Sequence, residues 1–272
     1  MNNFSLRDDT FRQLSQFIYE KSGIYIPENK KYLVENRLTR VIQESRLNGF
    51  EDYLYLVKYS SNGNELTRLF DAITTNETYF FREPHHFDVL AAEVIPRILK
   101  ERNRGVSIWS CACSTGEEPF TAAMLLREKM PNVYAEITGS DISPAVLEVA
   151  KKGIYNSYSV RNAPEPYLRK YFKKRSEDSY ELDPAIRTQV RFRNSNLLDR
   201  KRPALSAAAD IIFCRNALIY FDEKSKQKAV SGLYDSLRPG GYLFMGSSES
   251  LHNVTRAFRP VSINRTVVYQ RV

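Results

Sequence analysis

The chain has no apolar run of about 18 residues, so no membrane-spanning helix is expected. Its first residues, MNNFSLRDDTFRQL, lack a basic stretch followed by an apolar core, which argues against a secretory signal and for the cytoplasm. Cysteine is scarce: Cys111, Cys113 and Cys214 make an odd set that cannot form a disulfide framework and fits a reducing compartment. Cys111 and Cys113 have no nearby His or Cys to complete a tetrahedral set, so no metal is expected and small buried residues are the simpler reading. Histidine is limited to His85, His86 and His252, which suit packing or surface positions. Internal repeats and low-complexity tracts are absent.

Of the 272 residues, 42% are hydrophobic and 26% charged, a balance that supports a packed core and excludes wholesale disorder. The net charge of +8 is unevenly spread. Residues 1–75 hold ten basic and ten acidic side chains, whereas residues 151–202 hold fourteen basic and six acidic ones. A local basic block implies an acidic partner: a protein face, nucleic acid or anionic lipid.

Residues 8–74 read as a small helical bundle. Asp8 and Asp9 are candidate N-caps, Phe11, Leu14, Phe17 and Ile18 follow at helical spacing, and Gly23 stops that helix. Pro27 opens a second helix with Leu33, Val34, Leu38, Val41 and Ile42 on one face, closed by Gly49. Two shorter helices span 50–60 and 64–73. Nothing in this region carries obvious chemistry.

After residue 100 strands and helices alternate. Strands are expected at 106–110, 134–139, 210–214, 242–246 and 266–270, with helices at 117–130, 143–152 and 223–237 and a turn at 238–241. The apolar run DIIFC at 210–214 is that of a strand buried on both faces of a parallel sheet. The pattern means a Rossmann-like, doubly wound α/β domain behind an all-α domain. Residues 179–182 and 190–193 alternate apolar and polar side chains and read as strands of a small antiparallel insertion, coincident with the basic block.

In such sheets ligands sit beyond the carboxyl ends of the strands at the topological switch point. Three segments should meet there. The first, SCACSTGEEP at 110–119, opens a helix with small residues that admit a ligand close to the backbone. Only Gly116 is present, so this is not G-x-G-x-x-G. Glu117 and Glu118 disfavour a pyrophosphate and suit a ligand bearing an ammonium group, such as S-adenosylmethionine; they are equally ordinary first-turn residues. The second is Asp141, which can accept ribose hydroxyls or cap the next helix. The third is CRNALIYF at 214–221, where Arg215 and Asn216 follow a buried strand and are hard to explain as core. The Asn/Asp-Pro-Pro-aromatic arrangement of many nucleic-acid amino-methyltransferases is missing.

Together TTNETYFFRE (74–83), IWSCACSTGEEP (108–119), SDI (140–142), NLL (196–198), FCRNALIYF (213–221) and GSSE (246–249) resemble the CheR family, the glutamate O-methyltransferases of bacterial chemoreceptors. The resemblance runs over nearly the whole chain. It implies a helical domain (1–73), a linker closing over the cofactor (74–90) and a methyltransferase domain (91–272) with an inserted β-subdomain at about 155–193. It implies S-adenosylmethionine as methyl donor and S-adenosylhomocysteine as product. By that match Asn76, Thr78 and Arg82 close over the cofactor, and Glu118 meets its methionine part. Asp141 takes the ribose, Asn196 and Leu197 lie near the adenine, and Arg215, Asn216 and Tyr220 lie beside the transfer site.

The implied substrate is a glutamate carboxylate in the cytoplasmic helical domain of a transmembrane chemoreceptor, methylated in chemotactic adaptation. A carboxylate is ionised at neutral pH, so no general base is needed. Arg82 suits the task of orienting it, because a guanidinium fork matches a carboxylate bidentately; Tyr220 can shape the methyl path. Arg169, Lys170, Lys173, Lys174, Arg187, Arg191 and Arg193 are candidates for steering an acidic receptor helix. Some family members dock a receptor's C-terminal pentapeptide on the insertion with a glycine-rich loop; here YFKKRSEDS at 171–179 has no glycine, which argues against that tether. A nucleic-acid methyltransferase is the competing reading, kept open by Tyr155, Tyr158, Tyr167 and Tyr171 among the basic residues.

Overall fold

The computed structural model describes residues 4–60, 63–101, 105–199 and 208–272. Arg200, Lys201 and Arg202 of the basic block lie outside the described residues. No described helix is long and apolar enough to cross a membrane.

Four helices, α1 (Asp8–Ser22), α2 (Lys31–Glu44), α3 (Phe50–Tyr59) and α4 (Asn64–Ile73), form the first unit. Their core is Leu6, Phe11, Leu14, Ile18, Val34, Leu38, Ile42, Phe50, Tyr53 and Leu69, so the helical periodicity maps onto burial. Gly23 ends α1 in the left-handed conformation (φ 77°), a position that favours glycine. Arg7, not Asp8 or Asp9, is the N-cap residue of α1, and both aspartates lie in its first turn, where they complement the helix dipole. Gly49 precedes α3 instead of closing α2, and Pro27 leads into a short 3-10 turn before Lys31.

An extended segment leads from Thr74 to α5 (Pro84–Val89), which continues through a π-turn into α6 (Ile95–Glu101). Then come β1 (Val106–Cys111), α7 (Glu117–Lys129), β2 (Ala135–Asp141) and α8 (Pro144–Lys152). The insertion holds β3 (Ile154–Tyr155), α9 (Ser157–Val160), α10 (Glu165–Tyr171), β4 (Phe172–Ser176), β5 (Ser179–Leu182) and α11 (Pro184–Arg187). The chain ends with β6 (Val190–Asn194), β7 (Ala209–Cys214), α12 (Glu223–Ser236), β8 (Leu237–Met245), β9 (Phe258–Ile263) and β10 (Thr266–Arg271).

The main sheet has the order β6-β2-β1-β7-β8-β10-β9. The first five strands are parallel, and β10 and β9 pair antiparallel at the far edge. Every residue of β7 is buried, as a central parallel strand requires. The chain runs outward from β1 to β2 and β6, then returns to the other side of β1 as β7. The switch point therefore lies between β1 and β7.

A second sheet, β3-β5-β4, is antiparallel. Val190–Asn194, expected in this insertion, instead pairs in parallel with β2 at the edge of the main sheet. Its alternation is that of an edge strand with one wet face: Val190 is buried while Arg191 and Arg193 face solvent. The expected turn at 238–241 lies inside β8, where Gly240 takes φ 77° and the register with β7 shifts.

Candidate active site

A cavity opens at the β1/β7 switch point. Asn76, Thr78, Arg82, Glu118, Asp141, Asn196, Leu197, Arg215, Asn216 and Tyr220 all line it. Glu117 is not among the lining residues. It is buried, accepts a hydrogen bond from the Thr115 hydroxyl at 2.7 Å, and burial pushes its carboxyl up.

The loop after β1 turns sharply. Ala112 and Ser114 hold left-handed backbone, and Gly116 (φ 89°) starts α7, where a Cβ would come within 2.8 Å of Ala150 Cβ. Only glycine fits there without displacing α8. Asp141, at the end of β2, braces this loop: it accepts from Ser114 N–H at 2.9 Å and from Ser143 N–H at 3.0 Å. Burial pushes its carboxyl up, against those amide hydrogen bonds. The helix cap expected as its alternative task belongs to Ser143, which accepts from Val146 N–H.

Arg215 is almost fully buried. It donates to Glu118 Oε2 at 2.8 Å, to Glu83 Oε2 at 3.0 Å and to the Arg82 carbonyl at 2.6 Å. Its guanidinium is thus a crosslink between α7, the 74–83 segment and the end of β7. Glu118 also accepts from the Ser110 hydroxyl at 2.6 Å.

Two further acids carry the site and had no assigned role in the sequence reading. Burial raises the Glu83 carboxyl, but the His86 contact, the Arg215 charge and hydrogen bond, and the Ser247 amide outweigh it and hold the group well below the usual range. Phe81 and Glu83 hold left-handed backbone (φ 58° and 55°), a strain of about 1–3 kcal/mol each that this network maintains. Glu249 accepts from the amides of Asn216 (2.7 Å), Leu218 (2.8 Å) and Gly246 (2.9 Å), fixing the loop after β7. Buried His86 stands 3.2 Å from Glu83, and desolvation lowers its pKa against the pull of that carboxylate.

Arg82 differs from Arg215. It is half-buried, donates to the Glu77 carbonyl at 3.0 Å, lies 5.6 Å from the Tyr79 ring centre, and has no acidic partner among the described residues. Its neighbour Glu83 pairs with Arg215 instead. Asn76 gives its carbonyl to the Ser114 hydroxyl at 2.9 Å. Asn196 donates to the Lys21 carbonyl at 2.6 Å and accepts from Leu198 N–H at 2.9 Å, so its side chain ties α1 to the loop after β6.

The helical unit was expected to carry no chemistry, yet it walls the cavity. Ile24, Tyr25, Ile26, Lys30, Leu33 and Arg37 line it. Tyr25 N–H donates to the Tyr220 carbonyl at 2.9 Å, and Arg37 holds the Ile73 carbonyl and the Thr75 hydroxyl.

Of the basic candidates, four are paired with acids of the chain itself. Lys170 pairs with Glu128 at 2.6 Å, Arg169 with Glu165 at 3.9 Å, Arg187 with Glu181 at 4.0 Å and Arg191 with Glu136 at 3.1 Å. Arg175, in the same block, pairs with Glu181. Arg191 and Arg193 stand on the main-sheet edge, away from the inserted sheet. Lys173 and Lys174 on β4 are exposed, without an acidic partner among the described residues. The tyrosines do not form a stacking platform: Tyr155 and Tyr171 are buried, Tyr167 packs on Phe81 and Tyr158 is covered by Arg161.

Two family descriptions match: the CheR methyltransferase all-alpha domain over residues 9–74 and the CheR methyltransferase SAM binding domain over residues 76–267. The chain belongs to the CheR methyltransferase family. Chemotaxis protein methyltransferase 2 of Vibrio cholerae is 38% identical over 275 residues, covering 100% of this chain and 96% of that one. The chemotaxis protein methyltransferase of Borreliella burgdorferi is 36% identical (92% and 90% covered), and that of Escherichia coli 35% (93% and 88%). S-adenosylmethionine is accordingly the methyl donor of this CheR methyltransferase, and the nucleic-acid reading finds no support in these relatives.

The residues present fit that group. Asp141 and Glu118 place two carboxylates at the cavity wall, complementary to hydroxyl and ammonium donors. Ile142 and Leu197 supply apolar wall beside them.

Proposed function

We propose that the chain methylates glutamate side chains in the cytoplasmic helical domain of chemoreceptors, as a cytoplasmic protein-glutamate O-methyltransferase. The carrying observation is the half-buried Arg82 guanidinium, without an acidic partner among the described residues, at a cavity whose buried cation, Arg215, is engaged by Glu118 and Glu83. In this reading Asp141 holds the ribose, Glu118 the ammonium, Leu197 and the Asn196 backbone the adenine, and Asn76 and Thr78 the closing segment. Bound S-adenosylmethionine supplies an electrophilic methyl. Arg82 receives and orients the substrate carboxylate, which is ionised and needs no base. Arg215 keeps Glu118 in place and fixes the Arg82 backbone. Tyr220, held through its carbonyl by Tyr25, shapes the path between the two reactants. Catalysis then rests on positioning and on exclusion of water.

Domain limits at 1–73, 74–90 and 91–272 accord with this division of work. Lys173 and Lys174 steer an acidic receptor helix, with little from the internally paired arginines. The β4–β5 turn, Glu177-Asp178, is glycine-free and tied by Asp178 to Ser157, which supports docking without a pentapeptide tether. The test is methylation of a purified receptor cytoplasmic fragment, with the label mapped by mass spectrometry. Label on glutamate supports the reading; label that persists after the candidate glutamates are changed to alanine overturns it.

A further inference from the structure

The 77–82 segment that covers the cavity is held from outside by the insertion. Arg161, just after α9, lies with its guanidinium carbon 3.6 Å from the Tyr79 ring centre and 3.5 Å from the Tyr158 ring centre. One exposed arginine is thus sandwiched between a ring of the cavity-covering segment and a ring of the insertion. The Tyr158 hydroxyl donates to Glu77 at 2.8 Å, and Phe80 N–H donates to the Ser159 carbonyl at 2.9 Å. Glu77 in turn holds Arg82 through its carbonyl, and Tyr79 lies beside the Arg82 guanidinium. On the other side, Asp178 in the β4–β5 turn accepts from the Ser157 amide at 2.7 Å at the start of α9.

A guanidinium filling the space between two rings is held by both quadrupoles and by stacking. Removing it opens a gap between Tyr79 and Tyr158, and leaves the Glu77 and Phe80 hydrogen bonds, with the ring contacts of Phe80 on Tyr155 and Phe172 and of Phe81 on Tyr167, to hold the segment. No other described basic side chain occupies that gap.

We propose that Arg161 is a positioning residue: its stack between Tyr79 and Tyr158 latches the 77–82 segment over the cofactor cavity and so sets the rate at which S-adenosylhomocysteine leaves. The latch acts through Tyr79 and touches neither cofactor nor substrate. It deepens the function proposed above, because it makes the insertion part of the cofactor site as well as a docking surface.

The test is the dissociation rate of S-adenosylhomocysteine by stopped-flow, with its affinity by calorimetry. In Arg161→Ala the product should leave about fivefold faster or more, the loss expected for two ring contacts, with affinity falling in step. Arg161→Lys should recover part of the change, because a cation is kept without the flat stack. Arg127→Ala, an exposed arginine bound to the Ala185 carbonyl on another face, should change neither quantity. A dissociation rate in folded Arg161→Ala within about twofold of wild type, or an equal change in Arg127→Ala, overturns the latch. If Arg161→Ala does not fold, Tyr158→Leu, which removes one ring and the Glu77 hydrogen bond, is compared with Tyr158→Phe, which removes the hydrogen bond alone: faster release in the leucine variant than in the phenylalanine one supports the latch, and equal rates overturn it. These readouts need no receptor: wild-type protein that binds product but labels no glutamate sinks the proposed function and leaves the latch measurement standing.

Discussion

Arg215 and Glu118 meet at 2.8 Å, joining the end of β7 to the first turn of α7 across the switch point of the sheet. The pair, extended by Glu83, turns three chain segments distant in sequence into one wall of the cavity.

That wall gives a stability expectation. Replacing Arg215 with Met leaves the partly buried Glu83 and Glu118 without their cation. Unfolding in urea should show a loss of about 3–5 kcal/mol. Adding Glu83→Gln to that variant should restore part of it. A loss below about 1 kcal/mol would mean that the carboxylates find other partners or water.

Arg82 carries the substrate assignment. Arg82→Ala should lower kcat/KM for the receptor by about 100-fold, equivalent to about 3 kcal/mol of transition-state stabilisation. Binding of S-adenosylhomocysteine should remain detectable by calorimetry. Near wild-type turnover in that variant ends the role.

The pH dependence of stability follows from Glu83. Its native carboxyl is depressed from the ordinary value of 4.5, so the unfolded chain binds the proton more readily. The stability it supplies is therefore complete above that ordinary value and is lost as pH falls below it towards the native one. The difference in unfolding free energy between wild type and Glu83→Gln should shrink as pH is lowered through that range. Asp141, Glu117 and Glu249, whose carboxyls are raised, contribute with the opposite sign and cancel in this comparison. A pH-independent difference would contradict the assignment.

Docking by Lys173 and Lys174 is electrostatic and should be screened by salt. Receptor methylation at low ionic strength should slow as salt rises and the Debye length contracts below about 10 Å. In Lys173→Glu/Lys174→Glu the low-salt rate should fall towards the high-salt wild-type rate. A wild-type rate insensitive to salt would remove the steering role.

Much of this was legible in the amino-acid order. The apolar 210–214 run marks a central parallel strand, and Asp141, Glu118, Arg215 and Asn216 follow strand ends, where an open sheet collects its ligand. Other features come only from tertiary contact. Val190–Asn194 alternates like any half-wet strand, and its partner, β2, is not encoded locally. Ile24, Leu33 and Arg37 look like ordinary core or surface positions until the helical unit meets the Tyr220 segment. Glu83 and Glu249 carry no local signature either. Each is recognisable by the donors it gathers, from residues up to 164 positions away.

The most direct measurement follows methyl label from S-adenosylmethionine into receptor membranes, with nucleic acid offered in parallel, and then applies mild alkali. The expected result is label on the receptor that is released as volatile methanol, the behaviour of a carboxyl methyl ester. Label that stays bound in alkali, or that enters nucleic acid, contradicts glutamate methylation.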